Sequence, residues 1–299
     1  MGTMPYSFRN KFGKYLSDPV KAVNVLSLFY LVYIAFLIAS SLLPEPFSEA
    51  AGAMAWLLPM LLFFPFMLTP DVPRDTGTGE CTVSAPRFSF GRRAALVTLI
   101  FLLPALWVIM TVSAGTELLL GLAGASQENQ EITGSFWSAV FSLALAPAVL
   151  EELIFRVFPL RMMRASPGIA AAVVSAVMFS LMHTNIFSIP YAFAAGLIFA
   201  VADYIAQSFV PSFILHFLNN LLSAFLMYRG DDGLTTCIYI VISVLALIVI
   251  VSLIVFRKKL SALFSFRGGS DRAIASASLR SLLVPEAALL FLLAVLALL

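Results

Sequence analysis

Long apolar runs separated by short polar connections dominate the chain, and their lengths predict its elements. Runs of about 20 apolar residues, enough to cross a ~30 Å hydrocarbon core, fall near 22–43, 50–69, 94–115, 135–160, 169–185, 189–207, 211–228 and 235–256, with a further one at 282–299. Helices of that length satisfy their own backbone polar groups in lipid, which isolated strands do not. The last run, headed by Glu286 and purely apolar from Ala287 to Leu299, suits a re-entrant or surface-lying helix as well as a span. The predicted fold is all-α: a polytopic membrane helical bundle of about eight transmembrane helices plus a ninth C-terminal hydrophobic segment, forming a single integral membrane domain over 1–299.

The polar connections alternate in charge. Arg9, Lys11, Lys14 and Lys21 precede the first run, Arg74, Arg87, Arg92 and Arg93 follow the second, and Arg156, Arg161 and Arg164 close the fourth. Six more basic residues, from Arg257 to Arg280, follow the eighth, whereas the connections at 44–49, 116–134 and 186–188 carry none and 229–234 carries only Arg229. All but one of the 18 basic residues then lie on one side, which by the positive-inside rule puts the N-terminus in the cytoplasm. Nine crossings would leave Leu299 outside. The first run is too long for a signal peptide and reads as a retained helix. Residues 70–93 form a cytoplasmic linker in which Phe88 and Phe90 suit the interface, and the basic amphipathic stretch 257–281 suits anionic headgroups.

Composition narrows the class. With 61% hydrophobic and 11% charged residues and a mean hydropathy of +0.99, this is not an ordinary soluble protein. The expected setting is a prokaryotic cell membrane, crossed many times. A net charge of +2, already explained by topology, gives no reason to expect a nucleic-acid partner. Cys81 in a polar loop and Cys237 in an apolar run make neither a disulfide framework nor a zinc spacing.

The exception to the apolar pattern is Glu151-Glu152-Leu153-Ile154-Phe155-Arg156, inside the fourth run. A charge near the bilayer centre costs at least ~2.5–3.5 kcal/mol, so two adjacent acids need partners or a purpose. Glu152 and Arg156 are four apart and share a helix face in the favourable acid-before-base order. Glu151 lies ~100° round the helix and needs another partner. Pro147, one turn earlier, leaves a carbonyl without its donor and predicts a kink. The two histidines of the chain, His183 and His216, both fall in later apolar runs, as Phe179-x-x-x-His183 and His216-x-x-x-Asn220, with Asn219 in reserve. Counted from the cytoplasmic ends, Glu151 lies roughly 14 Å deep, His216 roughly 8 Å and His183 roughly 20 Å, levels that meet only if the fifth helix tilts or starts in the headgroups. Asp203 reads as interfacial. A single intramembrane histidine serves as readily in helix packing, but a carboxylate, two imidazoles and a carboxamide on three helices supply a general base, its orienter and polar donors.

In order and spacing, Glu151-Glu152-x-x-x-Arg156, Phe179-x-x-x-His183 and His216-x-x-x-Asn220 resemble the three motifs of the CPBP family, the CAAX proteases and bacteriocin-processing enzymes also called Abi, which includes the type II CAAX prenyl endopeptidase. The resemblance covers about residues 135–228, taken as the catalytic core. It implies that Glu151 with His183 holds and deprotonates the attacking water, that His216 and Asn220 stabilise the oxyanion, and that Glu152 with Arg156 is a supporting ion pair beside Phe179. The implied activity is intramembrane endoproteolysis of a membrane-anchored protein or peptide, CAAX-prenylated by analogy. No cofactor is required on this reading; a zinc ion held by Glu151, His183 and His216 is the alternative. The rival functions are a proton-coupled transporter using the same acids and histidines, which would be expected to show inverted repeats, and a non-proteolytic scaffold or immunity protein.

Overall fold

The computed structural model describes residues 19–44, 47, 61, 86–126, 134–163, 168–183 and 185–256. Among them the chain is helical: α1 Pro19–Ser41, α2 Arg92–Leu122, α3 Phe136–Met162, α4 Gly168–Leu181, α5 Ile189–Ala206, α6 Val210–Arg229 and α7 Asp232–Val255. No strand occurs among the described residues beyond one isolated bridge, Arg87 with Ser208. Six of the helices, all but α4, are long and apolar enough to cross a membrane. The second predicted segment apart from residue 61, the ninth, the basic stretch before Pro19, residues 70–85 and the amphipathic stretch at 257–281 lie outside the described residues.

Two predicted spans differ in length from what the apolar runs implied. The third was expected at 94–115, yet α2 has 31 residues, about 46 Å at 1.5 Å per residue. Its C-terminal end, Thr116 to Leu122, stays helical, and no residue of positive φ interrupts it before Gly124, at φ +87°. The fifth, expected at 169–185, is a helix of 14 residues, about 21 Å, shorter than the apolar run implied. Asn185 explains the early end: its side-chain oxygen accepts from Phe187 N at 2.9 Å and its carbonyl from Ser188 N at 2.8 Å, an Asx turn that competes with helix continuation.

α3 is a composite helix. Val140–Leu145 and Leu153–Val157 wind as π turns around the α-helical Ala146–Glu152. Each π turn sits just ahead of a proline, and the physical cause is the same. Pro147 has no N–H to offer the Leu143 carbonyl, and Pro159 has none for the Phe155 carbonyl. Ahead of Pro147, where the sequence predicts a kink, the helix thus widens into a π turn, and Pro159 adds a second one just after the acidic pair.

By its internal packing the chain falls into two compact units. One comprises Met1–Ala85, Phe158–Val174 and Arg267–Leu299; in it α1 packs on the last turn of α3, the Phe29 ring lying 4.5 Å from that of Phe158. The other, Pro86–Val157 and Ser175–Phe266, holds the motif residues. Within it α2 lies against α5, α6 and α7, and α6 against α3 and α5. Thr111 and Tyr239 join α2 to α7 by a 2.9 Å hydrogen bond. The turn between α5 and α6 is held by the segment ahead of α2: Phe209 N donates to Arg87 O at 3.0 Å, Ser208 Oγ to Ser89 O at 2.7 Å, and the Phe88 ring, expected at the interface, lies 5.4 Å from Phe209.

Polarity is inverted relative to a water-soluble bundle. Leu99, Leu119 and Ile254 are more than half exposed, while Glu152, Arg156 and Asp203 are completely buried. Apolar side chains facing out and charges facing in are what lipid as solvent selects.

Candidate functional site

The centre of the site is the His216 imidazole, which α6 inserts between the two acids of α3. Its Nδ1 is 2.7 Å from Glu152 Oε1, and its Nε2 is 3.7 Å from Glu151 Oε2. A carboxylate only accepts, so Nδ1 carries a proton toward Glu152 and the ring orientation is fixed. Glu152 is completely buried, whereas the Glu151 side chain keeps 20% of its surface exposed. The two neighbours therefore sit in different surroundings, as the ~100° step between them requires.

Glu152 meets Arg156 as the i,i+4 spacing predicts, Nε to Oε2 at 3.5 Å with both side chains at 0% exposure. Arg156 has further contacts that spacing alone does not reveal. Its Nη1 donates to the Phe155 carbonyl at 3.0 Å and to Ser175 Oγ at 3.3 Å, and Ser175 Oγ also donates to the Phe155 carbonyl. That carbonyl is available because Pro159 supplies no helical donor. The guanidinium carbon lies 4.6 Å from the centre of the Phe179 ring, within cation–π range.

Phe179 joins the parts. Its ring meets His183 edge-on at 4.7 Å, His216 edge-on at 5.8 Å and Phe155 at 5.5 Å. One aromatic side chain thus touches both histidines. α5 approaches this ring closely because residue 196 is glycine: a Cβ there would lie 3.0 Å from Ala176 Cα and 3.2 Å from the Phe179 ring. Just past the end of α4, His183 Nδ1 faces the Phe179 carbonyl at 2.9 Å. Since a carbonyl cannot donate, Nδ1 carries the hydrogen and the Nε2 lone pair is left to act.

The motif residues are brought together, but not in every expected pairing. Glu151 lies within 4 Å of a ring nitrogen of His216, and no such approach joins it to His183. Asn220 Oδ1 accepts from Asn219 Nδ2 at 3.2 Å, which leaves the Asn220 amide hydrogens as donors. The conditional zinc set of Glu151, His183 and His216 does not assemble: among the described residues no three His, Cys, Asp or Glu side chains are grouped to hold a metal ion.

Three residues at this site were not read from the sequence as part of it. Ser175, completely buried, looked like any small residue of an apolar helix. Phe199 lies 5.6 Å from the His216 ring and was one of many phenylalanines. Asp203, expected at the interface, is completely buried, accepts from Ser212 N at 3.0 Å and lies within electrostatic reach of Glu152 and Arg156. Glu152 Oε2, Arg156 Nε and Nη2, and Asp203 Oδ2 are buried without a hydrogen bond among the described residues. An apolar cavity of about 480 Å³ between the start of α3 and α6, lined by Leu218, Leu221 and Phe225 among others, is a separate feature. Those positions lie ~140–200° round α6 from His216 and face away from the site.

Residues 133–222 match the family model described as Type II CAAX prenyl endopeptidase Rce1-like. No curated protein and no solved structure gives a significant match. The matched segment contains Glu151, Glu152, Arg156, Phe179, His183, His216 and Asn220, so it is through its site-bearing helices that this membrane chain is similar to the CAAX protease family.

Proposed function

We propose that the chain is an intramembrane endopeptidase that hydrolyses a peptide bond of a membrane-delivered protein. The observation that carries this reading is the asymmetric acid pair: one imidazole, His216, lies between a fully buried carboxylate that orients it and a partly exposed one that can meet water. Structural ion pairing alone would need only Glu152 and Arg156. Glu151 would accept a proton from water, with His183 Nε2 helping to hold that water. The hydroxide adds to the scissile carbonyl, and the oxyanion so formed takes hydrogen bonds from Asn220 Nδ2 and from His216 Nε2–H, the ring then carrying a proton on each nitrogen with Nδ1–H still on Glu152. Collapse breaks the C–N bond, and the proton held by Glu151 passes to the leaving amine.

The ion pair of Glu152 with Arg156 would keep His216 in register without touching substrate. The similarity to CAAX prenyl endopeptidases supports a substrate presented near a C-terminus at the membrane surface, prenylated by analogy, although a shared fold does not by itself fix a substrate. The test is cleavage of membrane-anchored peptides, prenylated and unprenylated, by the purified protein in liposomes. Cleavage at one bond, unaffected by exhaustive chelation and lost in Glu151→Gln and His183→Ala, is expected. A stoichiometric metal whose removal abolishes cleavage would overturn this mechanism, and normal cleavage by both variants would overturn the assignment of the site.

A further inference from the structure

We infer that Asp203 is a positioning residue that sets the rotation and depth of α6, and through them the place of His216 between the two glutamates. The first turn of a helix leaves backbone N–H groups without intrahelical partners, and α6 receives no cap from its own N-cap side chain, Phe209. Its needs are met from elsewhere. Val210 N donates to Ser208 Oγ at 3.1 Å, Pro211 has no N–H, and Ser212 N donates to Asp203 Oδ1 at 3.0 Å. Phe213, next in line, can reach the Phe209 carbonyl within the helix. The last of these orphan donors is thus satisfied by a carboxylate on α5, which is where negative charge is also favoured by the helix dipole.

The consequence for the site follows from periodicity. Ser212 and His216 are one turn apart and on one face of α6, and Asp203, Ser212 and His216 are all nearly or completely buried. A hydrogen bond that pins Ser212 to α5 therefore pins His216 against Glu152, where Nδ1 lies 2.7 Å from the carboxylate. A buried acid on a membrane helix is costly unless something needs it, and a local cap at position 209 would satisfy Ser212 without tying α6 to α5.

The rate arm of the test rests on the endopeptidase reading; the spectroscopic arm rests on geometry alone. The chain has only two histidines, so ¹⁵N-histidine labelling of the full-length protein in lipid nanodiscs resolves His216, with His216→Ala as the assignment. In Asp203→Ala, the hydrogen-bonded Nδ1 signature of His216 should be lost, and kcat per folded molecule should fall roughly 10- to 100-fold, the scale of a 1 Å misplacement, with KM little changed. Asp203→Asn keeps the Oδ1 acceptor and should restore both. Asp203→Leu, of similar volume and apolar, replaces the alanine variant should that fail to fold, with the same expected losses. An unchanged His216 signature in folded Asp203→Ala or Asp203→Leu overturns the proposal whether or not any peptide is cleaved, as does Asp203→Asn being as damaging as the apolar changes. Failure of the wild type to cleave would count against the endopeptidase reading while leaving the spectroscopic result to judge Asp203.

Discussion

Glu151 and Glu152 are neighbours in the chain and opposites in environment, and their variants should separate accordingly. Glu151→Gln keeps shape and removes a base on a partly exposed side chain, so turnover should drop by roughly 10² to 10⁴ with the melting temperature unchanged. Glu152→Gln strips Arg156 of its counter-ion and His216 of its acceptor in a fully buried setting, a loss of the order of 3–5 kcal/mol when one member of a buried pair is removed. Stability in detergent should fall first and activity with it. Adding Arg156→Gln to Glu152→Gln should recover stability relative to either single change, because the two opposite charges are removed together. Thermal melts beside turnover decide this: a fully stable but inactive Glu152→Gln with an active Glu151→Gln would reverse the two roles. At this scale the identities of the motif residues and the Glu152–Arg156 contact were legible from spacing. The His216–Glu152 bond and the burial of Asp203 were not, because both depend on how α6 meets α3 and α5.

The elements of the site are shaped by prolines and a glycine as much as by apolar periodicity. Pro147 and Pro159 convert parts of α3 to π turns, and the carbonyl freed at Phe155 becomes the acceptor for Arg156 and Ser175. α4 and α5 approach at Gly196, where a β-carbon would press on the Ala176 backbone and the Phe179 ring. Gly196→Val is therefore expected to destabilise by about 1–3 kcal/mol through overpacking and to disturb His183 and His216 through Phe179. Gly115→Ala is the contrast, since nothing lies within 4 Å of the added carbon in a helix interior; it should be neutral or stabilise by about 0.4–1 kcal/mol. Denaturation in detergent, scored by tryptophan fluorescence, measures both. Equal effects at the two glycines would mean that the α4–α5 approach is looser than described. The long apolar helices were readable because a bilayer demands them; the shortness of α4 was not, because an apolar run does not reveal that Asn185 captures the backbone that a helix would use.

For the whole molecule, the charge alternation predicts an orientation that labelling can test. With Cys81 and Cys237 replaced by serine, a single cysteine at Phe90, ahead of α2 and exposed, should react with a membrane-impermeant maleimide only after permeabilisation. One at Asp232, at the start of α7, should react in intact cells. The reverse pattern would invert the topology and place the cytoplasmic ends of α3 and α5 outside. The prediction rests on basic residues flanking the helices, which orient a chain during insertion, and not on any contact within the bundle.

Local rules along the chain account for a membrane-spanning all-helical class, the alternation of basic residues from which an orientation is predicted, and the seven motif positions whose spacing puts Glu152 with Arg156 and His216 with Asn220 on shared helix faces. These follow from bilayer thickness and helical period, which act along the chain. The tertiary structure decided which imidazole stands between the two glutamates, that Phe179 carries Arg156 on its ring and both histidines at its edge, and that Asp203 caps α6 from α5. Those outcomes depend on the rotation and depth of one helix against another. Rotation and depth are set by close approach at Gly196, by the carbonyl that Pro159 frees and by a hydrogen bond between residues on separate helices, and none of these has a period that can be read along a single chain.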